Sequence, residues 1–242
     1  MIFRFYKKAE LSDINKLLIF NAGLSGLGMI MAVNTKTGSI TRAEQKQQTR
    51  QRLLEATMEV IASEGLSGVT MAKVAEQAGL SRGIGNFHFQ SKEQLLLETL
   101  HSIYQEFEKS WRNIVADDSR LPAEKLKAII ETTLVQPIAS KGKLAVWLAF
   151  WGEAPSRKTY LEICAAHDRE WDAAVEDIIQ KMAGDNSNFR GMSLEKIAQS
   201  LTAMMDGFWV EYLISEDKYT PQDAINACFA YLASFFPEFE ND

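Results

Sequence analysis

Cysteine and proline are scarce in this 242-residue chain, with two of the first and five of the second. Cys164 and Cys228 match no metal-ligand or redox spacing, and two thiols in a chain this long are what a reducing compartment tolerates. A disulfide scaffold is therefore excluded, and the cytoplasm is the expected location. Few prolines, with long stretches of Ala, Leu, Glu, Lys, Gln and Met, favour helix nearly throughout, and no sustained alternating run marks a strand. The three histidines, His88, His101 and His167, have no nearby serine, cysteine or carboxylate pattern of a catalytic set. His167-Asp168 reads as a solvated helix face. No phosphate-cradling glycine loop is present, since GLSGLG at 23–28 follows no strand. No catalytic residue, metal or cofactor is expected.

A long membrane-spanning run is also missing. The uncharged stretch from Leu17 to Val33, behind Arg4, Lys7 and Lys8, is short of a span and contains Asn21, Gly23, Gly26 and Gly28. It lies far from the N-terminus for a secretory signal. Residues 1–40 are expected to be a weakly ordered extension, or residues upstream of an alternative start at Met29 or Met31.

The formal charge is −6, an unpromising sum for contact with phosphates, but it is unevenly distributed: +3 over residues 1–41, +2 over 42–92 and −11 over 93–242. A small basic head on a large acidic body fits that split, because DNA would repel the body and leave the head to touch it.

The sequence predicts a first helix from Thr41 to Glu64, with Leu53, Leu54, Thr57, Val60 and Ile61 at helical spacing and Arg42, Lys46, Arg50 and Arg52 in its first half. A short helix capped by Thr70 stops at Gly79, and a second short helix, about Arg82 to Phe87, is capped by Ser81. Ser91, with Gln94 three residues on, opens a long amphipathic helix carrying Leu95, Leu96, Leu100, Ile103, Phe107 and Trp111. Further helices are expected at about 122–136, 143–153, 157–183, 193–215 and 221–236.

The segment TMAKVAEQAGLSRGIGNFHF carries the functional signal. Two short capped helices around a Gly-Leu-Ser turn must cross steeply, with Val74, Ala75, Leu80 and Ile84 packing between them. The second helix then keeps one free face. Placed in a major groove, its first residues Ser81, Arg82 and Gly83 would meet base edges and Lys92 would approach phosphate. Alone, such a pair could be an ordinary helical hairpin; the basic-ended helix before it, the aromatic Phe87 and Phe89 closing it, and Ser91-Lys92-Glu93 after it favour DNA reading.

From about Gln45 to Leu100 the chain resembles the DNA-binding domain of the TetR family. That family shows a recognition helix close to Ser-Lys-Gly-Thr-Leu-Tyr-His-Tyr-Phe followed by Ser-Lys-Glu-x-Leu; here stand SRGIGNFHF and QSKEQL. The resemblance implies a phosphate contact at the Thr70 cap, base or groove contacts from Arg82, Gly83, Ile84 and Asn86, and phosphate contacts from Phe87 or His88 and from Lys92. Asn86 stands where tyrosine is usual and Gly85 where leucine is usual, which puts the tyrosine's phosphate contact in doubt and loosens the helix by about 1 kcal/mol per glycine.

In the body, AVWLAFWGEA at 145–154 and AMMDGFWVEYL at 203–213 are similar to segments of the choline-responsive repressors of betaine synthesis, the BetI group. Trp147 and Trp151 share a helical face beside Phe150; Trp171, Phe208 and Trp209 could converge on them, with Phe107 and Trp111 from the long helix. Such rings could hold a quaternary ammonium or other cation, with Glu153, Glu170 or Asp206 balancing it. Aromatic residues at this spacing are, however, more often core filler. Asp206-Gly207 inside an apolar helix could bind that ligand or lock an interface. The resemblance favours the interface, because TetR-family proteins dimerise through their last two helices, where Met204, Met205, Phe208, Tyr212, Phe229 and Leu232 would supply contacts.

The expected architecture is all-α: an N-terminal three-helix helix-turn-helix DNA-binding domain at 41–92 and a larger ligand-binding and dimerisation domain at 93–242, about nine helices in total. The expected function is a homodimeric repressor released from a palindromic double-stranded DNA operator by a small-molecule effector, with no membrane partner. A ligand-independent DNA-binding regulator and a helical interaction domain without DNA specificity are the alternatives.

Overall fold

Thr41 accepts from the Glu44 amide while Glu44 answers to the Thr41 amide, and this reciprocal cap starts α1, Arg42–Gly68. The computed structural model describes residues 41–186, 188–215 and 219–240; the extension expected over 1–40 lies outside them. Gly65, at φ +72°, interrupts α1 one turn before its end, where the sequence places its stop. Thr70 caps α2, Met71–Gln77, by accepting from the Lys73 amide. Gly79, at φ +64°, turns the chain into α3, Arg82–His88, in a conformation only glycine adopts without strain. Ser91 caps α4, Lys92–Val115.

The body follows as α5 (Pro122–Thr133), α6 (Lys141–Glu153), α7 (Lys158–Ala183), α8 (Leu194–Ile214) and α9 (Pro221–Ala233). Nine helices are thus present among the described residues. The loop before α8 holds a ribbon that the sequence does not announce: β1 (Asn188–Phe189) pairs antiparallel with β2 (Met192–Ser193) around Arg190 and Gly191, both at positive φ. Helix α5 ends three residues earlier than expected from Pro137, because the indole of Trp209 on α8 donates to the Thr133 carbonyl at 3.0 Å and satisfies it without another helical turn.

One apolar core runs through head and body. Leu53, Val60 and Ile61 of α1 and Val74 of α2 meet Leu95, Leu96 and Leu100 of α4, whose later residues Ile103, Tyr104 and Trp111 are buried in the body. Arg50 fastens this joint. Its guanidinium donates to the His88 carbonyl at the end of α3 (2.9 Å), pairs with Glu98 of α4, and lies 4.4 Å from the centre of the Phe89 ring. A groove of about 350 Å³ beside it is walled by Gln47, Gln51, His101, Ser102 and Gln105 among others. Arg52 similarly donates to the Ala78 carbonyl ending α2, at 2.6 Å. These two arginines are therefore committed to holding the head together.

Replacing Arg50 by Leu should cost about 1–3 kcal/mol, because the half-buried Glu98 loses its ion pair and the α3 carbonyl its donor. Urea unfolding checks this. Gln51→Ala, one residue on at an exposed position, should change stability by less than about 0.5 kcal/mol.

Candidate DNA-reading helix and cation site

Helix α3 packs on α2 through its middle. Gly85 is buried, and a Cβ there would stand 3.2 Å from Met71 Cε and 3.5 Å from the Met71 carbonyl oxygen. The glycine that looked like a weakness in the sequence is what lets the two helices approach; a leucine would force them apart. With Gly85 and half-buried Ile84 turned inward, Ser81, Arg82, Gly83, Asn86 and Phe87 are exposed together. Phe87 is 72% exposed, and nothing lies within 4 Å of where a Gly83 side chain would begin.

Other expected DNA contacts are placed differently. Lys92 Nζ folds back to donate to the Leu66 carbonyl at 3.2 Å, near the end of α1, so in the free protein it caps a helix instead of projecting outward. His88 is half-buried, and its pKa is lowered by burial and by nearby Lys46 and Arg50. It is neutral at pH 7 and could meet a phosphate only through a hydrogen bond. Ser81 sits at the N-cap of α3 without a side-chain capping bond, and the Thr70 hydroxyl is already engaged by its own helix.

In the body, four helices bring rings and acids together. Phe107 of α4 lies 6.0 Å from Trp147 (α6), 5.1 Å from Trp171 (α7) and 5.7 Å from Trp209 (α8), centre to centre. Trp151 lies 5.9 Å from Trp147 and 6.4 Å from Trp209, and Trp111 meets Trp171 at 5.6 Å. Phe150 instead packs against Tyr160 at 5.3 Å in the fully buried core, so it supports the ring cluster without joining it.

Asp206 of α8 lies deepest among the nearby acids. Burial, then the charges of Asp168 and Asp172, push its pKa up to about 7. Burial, then Asp172, pushes Asp168 up to about 6, and Asp172 is raised by burial although Thr202 hydrogen-bonds it. Asp168 and Asp172 retain solvent contact, whereas Asp206 is half-buried. The three acids thus lie within electrostatic reach across α7 and α8, with Asp206 half-buried and the other two exposed. The Tyr104 hydroxyl, close enough to Asp168 to act on it, has no hydrogen-bond partner of good geometry although Tyr104 is 2% exposed. Trp111 and Trp151 also have buried, unpartnered indole nitrogens.

Residues 53–99 match the tetR family of bacterial regulatory proteins, and residues 122–237 match the C-terminal region of BetI-type transcriptional repressors. The chain belongs to the TetR family. Among curated relatives of this TetR-family regulator, the HTH-type transcriptional regulator BetI of Pseudomonas paraeruginosa is 26% identical over 187 residues, covering 76% of this chain and 90% of its own. Two solved structures share the fold. A transcriptional regulator from Pseudomonas aeruginosa PAO1 aligns with TM-score 0.68 and 24% identity, over 80% of this chain and 92% of its own. A regulator from Saccharomonospora viridis in complex with choline aligns with TM-score 0.65 and 22% identity, over 77% and 96%. This protein is accordingly a DNA-binding transcriptional regulator and not an enzyme.

Within the regulator's body, Asp168 is exposed, as a solvated His167-Asp168 face expects, whereas the reading of His167 requires correction. His167 is half-buried, stacked on Tyr104 at 4.1 Å between ring centres and paired with Glu108, and Asp168 belongs to the acid cluster. Sequence reasoning missed Tyr104, Asp168 and Asp172. The four-residue spacing of the two acids, one turn apart beside Trp171, was the available signal. Glu153 and Glu170, offered as balancing charges, are instead paired with Arg157 and Arg112. Two expected interface residues also move: Met205 is 4% and Leu232 0% exposed in the single chain, so both fill its own core. Among the described residues no group of three or more potential ligands is arranged to hold a metal ion, and no helix is long and apolar enough to cross a membrane.

Asp206 binds its proton more tightly in the folded chain than at the ordinary carboxylate value of 3.8. Its stabilising contribution is therefore complete below that value and is lost as pH rises through about 7. Melting temperature should fall across this window, and Asp206→Asn should flatten the fall and melt higher than the parent at pH 8. An unchanged pH profile in the variant would show that Asp206 does not carry this titration.

Proposed function

We propose that this TetR-family regulator is a cytoplasmic homodimeric repressor that binds a palindromic operator and is released by a small organic cation. The observation that carries the DNA half is the joint exposure of Ser81, Arg82, Gly83, Asn86 and Phe87 on a helix whose opposite side is fixed to α2. Arg82 suits guanine O6 and N7, Asn86 suits adenine N6 and N7, and Phe87 suits a thymine methyl. Ile84 supports this face from beneath, while Thr70, His88 and Lys92 flank it and would reach phosphates after small rearrangements. The proposed head occupies 41–92 and the ligand-binding and dimerisation body 93–242.

Half-buried Met204, Phe208 and Tyr212 on α8 and Phe229 on α9 supply an apolar surface suited to a partner copy. A Cβ at Gly207 would meet nothing within 4 Å in the single chain, which leaves room there for a close approach between copies. Two-fold symmetry then sets the recognition helices about 34 Å apart, one turn of B-form DNA.

The ligand half rests on the convergence of Phe107, Trp111, Trp147, Trp151, Trp171 and Trp209 with Asp206. Ring faces attract a cation by about 0.5–2 kcal/mol each. The choline bound to the Saccharomonospora viridis regulator supports the same chemistry in a chain of the same fold. Effector entry would act on α4, which carries Phe107 and Trp111 at one end and holds the head at the other.

Selection of bound fragments from random DNA is the test. A recovered palindrome is expected, and recovery of no common sequence would overturn the reading. Arg82→Ala should weaken the selected site by about 1–3 kcal/mol and relax one base position, without changing the melting temperature of the free protein.

A further inference from the structure

Seven lysines and arginines belong to the head, residues 41–92. Four are engaged within the protein: Arg50 with Glu98 and the His88 carbonyl, Arg52 with the Ala78 carbonyl, Lys73 with Glu64, and Lys92 with the Leu66 carbonyl. Among the described residues, Arg42, Lys46 and Arg82 form no hydrogen bond or ion pair through their side chains. Arg82 opens the reading helix α3. The other two stand on the first two turns of α1, where every residue from 41 to 48 is exposed.

The stripe that packs α1 locates this pair. Val60, Thr57 and Leu53 are buried, and the same face continues toward the start of the helix, in steps of three or four residues, as Arg50, Lys46 and Arg42. The inward face of α1 thus turns from apolar to basic where the core beneath it ends. Arg50 fixes what that face meets at the core edge, because its guanidinium donates to the His88 carbonyl at the C-terminal end of α3. Lys46 is one turn further out, about 6 Å along the axis, and Arg42 about 12 Å. The pKa of His88, lowered first by burial, is lowered next by Lys46, which agrees with an ammonium group standing at the end of the reading helix. Glu44, the acid between the two cations, is turned back to accept from the Thr41 amide at 2.7 Å. An overhanging row of cations at one end of α3 calls for an anionic surface, and DNA phosphate supplies it.

We infer that Arg42 and Lys46 form a phosphate clamp beside the reading helix: with α3 in a major groove as proposed above, they lie along the DNA backbone past the C-terminal end of α3, and each neutralises about one phosphate. Arg82, at the opposite end of α3, faces the bases. The clamp therefore adds affinity and fixes the register of the head on the duplex, while carrying no base information of its own.

Fluorescence anisotropy tests this with the full-length protein and a labelled duplex pool of random sequence, about 40 base pairs long, over about 50 to 200 mM KCl. The Arg42→Gln/Lys46→Gln variant should bind about tenfold or more weakly at the lowest salt, and its plot of log affinity against log salt should be shallower by about 2. Each single variant should lose about half of that slope. Lys181→Gln/Lys196→Gln removes the same charge from the last turn of α7 and the first turn of α8, and should keep the parent slope. Melting temperatures check that all variants are folded, and sequences selected from the pool by the clamp variant should match those selected by the parent.

A clamp variant with the parent slope, a body variant whose slope falls as far, or a changed selected sequence would overturn the clamp and leave the reading helix standing. Absence of binding to the pool by the parent at every salt concentration would overturn both.

Discussion

The structure depends on one constraint: α4 is a member of two cores at once. Its first turns are buried against α1 and its later turns against α5 and α7, with Phe107 meeting rings of α6 and α8, while α1 itself packs on α6, so the head cannot tilt freely on the body. Arg50 makes the constraint directional. One guanidinium reaches from α1 to the carbonyl ending α3 and to Glu98 on α4, over the face of Phe89, so the orientation of the DNA-reading helix is referred to α4 by charge-assisted bonds. A second tie, Arg157 to Glu93 at 3.3 Å, connects the start of α7 to the first turn of α4. Both residues of that pair are nearly half exposed, so it contributes less.

The same helix carries information because its two ends are chemically different. At the head end the exposed residues are small, polar or cationic, with one uncovered aromatic ring, as suits a surface that must approach nucleotide edges. At the body end Tyr104, Phe107 and Trp111 join the ring cluster, near which burial pushes the pKa of Asp206 up to about 7. A cation bound against those rings, as proposed, would press on ring faces belonging to α4. The energy available to shift the helix is the difference in cation affinity between its two positions, typically about 1–3 kcal/mol in coupled systems. The thiols take no part: burial raises both, Cys228 to about 12, so neither is a thiolate at neutral pH.

Much of the fold was legible in the sequence, for physical reasons. Helix starts were legible where Thr70 and Ser91 are side-chain caps that act locally. The turn at Gly79 was equally local. Ends set by tertiary contacts were not legible, as at Thr133, where a tryptophan 76 residues away takes the carbonyl. In the head, the exposed face of α3 followed from its pattern, but the commitments of Arg50, Arg52 and Lys92 to distant carbonyls did not, since a basic side chain carries no sign of whether it faces phosphate or a helix end. The ring cluster was legible from Trp147, Trp151 and Trp209, and Asp206 from its place in an apolar helix, while the approach of Asp168 and Asp172 depended on how α7 is rotated against α8. The inward facing of Met205 and Leu232 likewise depends on helix rotation, which composition alone does not determine.

Hydrogen exchange of the backbone amides over residues 82–100, followed by mass spectrometry with and without a saturating concentration of choline, tests the shared-helix claim most directly. Exchange in α3 and in the first turns of α4 is expected to slow when the effector binds the distant body, and this response is expected to vanish in Arg50→Leu while protection of Trp171 and its neighbours persists. Protection confined to the body in the parent protein, with the head exchanging at an unchanged rate, would contradict the account.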